Sequence, residues 1–244
     1  MITRHHLALT LICGLFPCTA FAGADPLIFL FILAGTGIGA ILPDIHMKRP
    51  AKTRLLTGAW YLVQTGRKTV VPLMCRLLIL FTGSRTSPDD KRLTHSVPGI
   101  AVYGILYTSP ALAVSILLSG HYVGLVLLAF SVGIFLGMII HLAQDLCTRK
   151  GIVPLYPFSV MTVHGSIRPC DIHDPRIPRF HIQHVAILFV FQLALFLAIL
   201  PDPASLYCGF LFAALCIVSM IWQSEVQIGR DAGQPSSLDE GVAG

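Results

Sequence analysis

The chain has 244 residues, of which 55% are hydrophobic and 12% charged, with a formal net charge of +5 and a mean hydropathy of +0.76. A soluble domain carries about 25% charged residues, so the composition excludes an ordinary soluble globule and points to an integral membrane protein. Its seven cysteines form no CxxC pair, which argues against a thiolate zinc cage or a disulfide framework and reads as small apolar packing.

Apolar runs that can cross a hydrocarbon core, about 20 residues at helical rise, occur at 7–22, 26–43, 97–119, 121–146, 184–201 and 203–222. They predict an all-α, polytopic bundle of about six transmembrane helices. The opening stretch, with its basic start and Ala20-Phe21-Ala22, also has the shape of a signal peptide; the expectation here is a retained first helix. The run at 69–83 contains Pro72 and Arg76, so it is expected to be an interfacial or re-entrant helix, with a second short helix around 54–64. The expected domain covers 1–223, with connections at 44–96 and 147–183, and the polar tail 224–244 is expected to be disordered.

Ten of the seventeen Lys and Arg residues lie between 44 and 96 and five between 147 and 183; Arg4 and Arg230 flank the outermost helices. With six spans all seventeen fall on one side, which the positive-inside rule makes cytoplasmic, together with both termini. The same asymmetry explains the net charge without a nucleic-acid partner.

Ionisable residues then gather at one set of helix ends. His6 opens the first helix, Asp44 and His46 close the second in "ILPDIH", Asp90 and His95 precede the third in "DKRLTHS", and His141 and Asp145 end the fourth. His141 and Asp145 are spaced i, i+4 and so share a helix face. Alone, that pair also fits a plain His–Asp hydrogen bond. Three helix ends bringing His or Asp to one membrane face is the way a multi-helix metal site is assembled, because such groups are costly in apolar surroundings. Pro43 disfavours helical geometry at Leu42 and ends its span where Asp44 is needed.

"ILPDIH", "DKRLTHS" and "GMIIHLAQDLCTRKGIVPLYP" resemble, in the same order, the LPDIDHP, HRGxTHS and GxxxHLxxDxLTxxGxxLLxP signatures of YdjM-like membrane-bound metal-dependent hydrolases. The likeness runs from about residue 5 to 160. It implies His6, Asp44, His95, His141 and Asp145 as metal ligands, with His6 best matching the leading His and Thr94 and Ser96 alongside. This sequence departs from the pattern at His46, Met47 and Asp90. His46 and Asp90 keep ligand or general-base chemistry and are candidate catalytic residues; Met47 offers no hard ligand.

The mixed N/O set calls for a divalent cation, zinc first, with manganese or iron as alternatives. The reading that follows is hydrolysis of a phospholipid or lipid-linked phosphoester by activated water at the cytoplasmic membrane face, with Arg168 as a candidate headgroup contact. A cation or proton transporter using the same cluster, or an inactive membrane scaffold, would use these residues differently. A lipid phosphatase of the SGH and RxxxxxHxxxD type is excluded, since Phe135 stands where its Arg would be.

Overall fold

A computed structural model describes residues 3–22, 25–46, 57–83, 87, 90–168, 171, 174–197, 199 and 204–230. Within them the chain forms helices α1 (Thr3–Ala22), α2 (Pro26–Gly39), α3 (Thr57–Thr82), α4 (Lys91–Thr94), α5 (Val97–Leu117), α6 (Tyr122–Leu146), α7 (Arg176–Phe196) and α8 (Ala204–Gln223). A 3-10 turn follows α2 at Leu42–His46, and two short strands, β1 (Met161–His164) and β2 (Gln227–Arg230), complete the set. Among the described residues, five segments are long and apolar enough to cross a membrane: α2 continued to Asp44, α5, α6, α7 and α8. The first expected span forms α1, a 20-residue helix that is not among these five.

Local chemistry starts these helices where the sequence turns. Asp25 caps α2 by accepting from the Leu27 and Ile28 amides at 3.0 and 3.1 Å, with Pro26 in the first turn where a missing N–H costs nothing. Ser96 caps α5 by accepting from the Gly99 amide at 3.1 Å. The segment expected to hold two short helices forms one 26-residue helix instead, with Pro72 inside it. Val71, Met74, Cys75 and Leu78 are buried on its inner face and join the core of α5 and α6; this packing outweighs the breaking tendency of one proline.

The most extensive helix pair is α2 with α6, and glycine makes it possible. A Cβ at Gly35 or Gly39 would strike the carbonyls of Phe130 or Ile134, while one at Gly133 or Gly137 would strike those of Ile32 or Thr36. The two backbones therefore lie in direct contact, as small residues permit between helices in a bilayer. One core, built on Leu42, Met74, Leu93, Tyr103, Ile134 and Met138, joins α3 and α5 to this pair. Another, with Cys13, Phe16, Ile140, Phe191, Ala213 and Cys216, joins α1, α7 and α8 to α6. Helix α6 thus belongs to both halves.

Beyond α6 the chain folds back over the helix ends. Thr148 bridges Ile167, Ile152 bridges Val163, and β1 pairs antiparallel with β2, Val163 opposite Ile228. Part of the polar tail expected from Ser224 is therefore structured. Ser224 is buried, its carbonyl accepts from Ser166, and Gln227–Arg230 satisfy their backbone groups on β1; the residues beyond Arg230 lie outside those described. Arg176 fastens this cap by donating to Asp174 at 2.7 Å and to the Ser166 carbonyl at 3.0 Å.

Gly39→Val or Gly137→Val should separate α2 from α6 and lower stability by at least the roughly 1–3 kcal/mol of an overpacked core, seen as a lower unfolding temperature of detergent-purified protein. The hydrogen bonds from Arg176 hold the Asp174 carboxyl down at about 2. Its contribution to the cap is therefore complete above about pH 4, where the unfolded Asp is ionised, and is lost as pH falls towards 2. Amide exchange of β1 and β2, corrected for intrinsic rate, should accelerate over that range, and Arg176→Met should abolish the pH step.

Candidate metal centre

The centre is built on the last turns of α6, where His141, Gln144 and Asp145 share a buried face. His141 is fully buried, and its Nδ1 donates to the Ala40 carbonyl at 2.6 Å. That carbonyl is within reach because glycine brings α2 against α6. The His141 Nε2 points the other way, is buried, and has no hydrogen-bond partner.

His6, on the first turns of α1, is fixed by the same logic. Its Nδ1 lies 2.6 Å from Gln144 Oε1, and Gln144 Nε2 donates to Thr10 Oγ1 at 3.0 Å. With the amide nitrogen committed to Thr10, the amide oxygen accepts the His6 Nδ1 proton. The His6 Nε2 lies 3.2 Å from Asp145 Oδ1, and its ring stacks on that of His141 at 4.1 Å between centroids.

His95 is supplied by the short α4. Asp90 caps that turn through the Arg92 amide, and the Lys91 carbonyl accepts from His95 Nδ1 at 3.1 Å. Thr94 donates to the Pro43 carbonyl at 2.9 Å, which ties α4 to the 3-10 turn carrying Asp44. His95 Nε2 then lies 3.5 Å from Asp44 Oδ1 and 3.4 Å from Asp145 Oδ2. Burial pushes the His95 pKa below its ordinary value, favouring the neutral ring.

All three imidazoles therefore spend Nδ1–H on an outward acceptor and, when neutral, aim the Nε2 lone pair inward, at carboxylate oxygens. Lone pair facing lone pair at 3.2–3.5 Å is repulsive unless a positive charge lies between them. Asp44 Oδ2, His95 Nε2 and His141 Nε2 are buried without a hydrogen-bond partner, a condition costly enough to require an explanation. Donors at the corners of a tetrahedron with bonds of about 2.0–2.2 Å stand about 3.3–3.6 Å apart. The spacing thus fits one divalent cation, and two overlapping groups, His6/Asp44/His141 and His95/His141/Asp145, hold their ligand atoms within 4.8 Å of one another.

The structure brings together His6, Asp44, His95, His141 and Asp145, which are all at most 8% exposed. It sets Asp90 apart from them: its carboxylate binds the Arg92 side chain at 3.1 Å as well as capping α4. The backbone of His46 ends the 3-10 turn; its side chain and Met47 lie outside the described residues. Ser96 caps α5, and Arg168 is exposed, with its amide on Asp174. Sequence reasoning missed Gln144, whose only signal was an amide on the buried face of "HLAQD", and missed the tether made by Thr94.

A family model described as YdjM inner membrane protein matches residues 1–226. No curated protein and no solved structure matches the chain.

Gln144→Leu keeps the volume near that of the native side chain and removes the acceptor that fixes the His6 tautomer. The expected outcome is a roughly 10–100-fold loss of divalent-metal affinity, the usual cost of losing an outer partner of a ligating His. Titration of the chelator-treated protein with zinc or manganese measures it.

Proposed function

The chain belongs to the YdjM inner membrane protein family, and from that premise we propose that it is a membrane-bound, metal-dependent hydrolase acting on a phospholipid or lipid-linked phosphoester. The observation that carries this reading is the convergence of three imidazoles and two carboxylates in one buried cluster, in which Asp44 Oδ2, His95 Nε2 and His141 Nε2 have no hydrogen-bond partner. His95, His141, Asp145 and Asp44 are the principal ligands, and His6 completes an N3O2 set. Zinc is the first choice for it, with manganese and iron as alternatives. A divalent ion held there would lower the pKa of a water molecule and polarise a phosphoryl oxygen.

The protein's own residues do the rest. Gln144 and the carbonyls of Ala40 and Lys91 hold the three rings in the ligating tautomer. Asp145 spans the set, with Oδ1 towards His6 and Oδ2 towards His95 and His141. Asp90 is committed to Arg92, so the proton-accepting role falls to His46, two residues after Asp44 in the 3-10 turn. The Lys and Arg asymmetry supports a cytoplasmic position for this end of the bundle, where a headgroup would meet the site without leaving the bilayer surface.

Metal analysis of purified protein is expected to give a bound ion that is lost in His141→Ala and in Asp44→Ala, by more than the roughly 10–100-fold expected for Gln144→Leu. Metal-free wild-type protein would overturn the proposal. His141-dependent cation flux in liposomes would replace it with transport.

A further inference from the structure

Lys91 stands at the edge of the centre. Its Nζ lies 3.6 Å from Asp44 Oδ1, and its side chain is 43% exposed whereas that of Asp44 is 4% exposed. Its ammonium thus pairs with a carboxylate of this cluster. The neighbouring Arg92 is held by Asp90 through Nε and a terminal nitrogen and lies over the Tyr156 ring at 4.8 Å. One turn of helix therefore presents two cations differently: Arg92 is clamped, and Lys91 is anchored by its backbone while its partly exposed ammonium lies beside Asp44.

The charge balance gives this arrangement a consequence. Three neutral imidazoles and two carboxylates around a divalent ion sum to zero, and Asp44 then turns its charge to the ion. Lys91 is left as a net positive charge at the solvent-exposed edge of the cluster. An uncharged substrate gains nothing from it; an oxyanion gains a charge-assisted hydrogen bond. Resting on the metal-site reading above, we infer that Lys91 binds an anionic phosphoryl oxygen of the substrate and so selects phosphoesters over neutral esters.

The test turns on opposite signs. Removing a cation beside a metal site should leave metal affinity unchanged or raise it, while weakening an anion; a merely structural lysine would weaken both. Full-length protein in detergent, loaded with manganese, is titrated with inorganic phosphate by calorimetry, in wild-type, K91Q and K91R forms. The expected result is phosphate binding roughly tenfold weaker in K91Q, manganese affinity equal or higher, and K91R close to wild type.

Manganese-loaded K91Q that binds phosphate as tightly as wild type, or loaded wild type that binds none, overturns this inference and leaves the metal site standing. Protein that takes up no metal overturns both. A short-chain phosphatidic acid and glycerol 3-phosphate, competed against phosphate, separate the two sources. Stronger displacement by the lipid assigns the phosphoryl group to a headgroup, and the reverse order to a soluble ester; Lys91 dependence of either supports the inference.

Discussion

The fold is arranged around a rule of hydrogen bonding: a neutral imidazole whose Nδ1 proton is taken by an outward acceptor must present a lone pair at Nε2. Here the rule is applied three times at one point. The acceptors are of three kinds, a helix-end carbonyl at Ala40, a side-chain amide at Gln144 and a carbonyl in a one-turn helix at Lys91. Each comes from an element other than α6 or from a different position on it, so the site requires α1, α2, α4 and α6 to be in register at once. Positive charge in the middle satisfies all of them together.

That requirement explains why the glycines matter more to the site than to the membrane. The Ala40 carbonyl meets His141 because Gly39 and Gly137 let the backbones touch one turn away. An ordinary side chain at either position would move the acceptor away from the ring and free it to turn. In the same way, the hydrogen bond from Thr94 to the Pro43 carbonyl joins two segments that lie far apart in sequence, and so fixes Asp44 against His95. Packing between helices sets the tautomers, and the tautomers set the chemistry.

Much of this was legible in the sequence because expensive residues leave a mark in apolar surroundings. His141 and Asp145 are one turn apart at the end of an otherwise apolar run, and "ILPDIH" and "LTHS" bring the same residue types to the same membrane face. The acceptors were not legible. A backbone carbonyl has no sequence signature, and Gln144 looks like any amide near an interface until Thr10 claims its other end. The single helix α3 was hidden by Pro72, since local propensity counts the lost hydrogen bond and cannot count the buried face of Val71, Met74 and Leu78. Strand β2 was hidden by the polar composition of its surroundings; its partner β1 is more than 60 residues earlier in the chain.

The departures from the family's motif take on a different meaning in this setting. Asp90 stands where the resembled motif has a histidine, which could signal a damaged centre, yet the five candidate ligands converge without it. A carboxylate at this position does two things that an imidazole does less well: it caps α4 through the Arg92 amide and grips the Arg92 guanidinium. Capping starts the turn that puts the Lys91 carbonyl on His95. Position 90 thus shapes the segment that holds His95, and the five candidate ligands stand together without it.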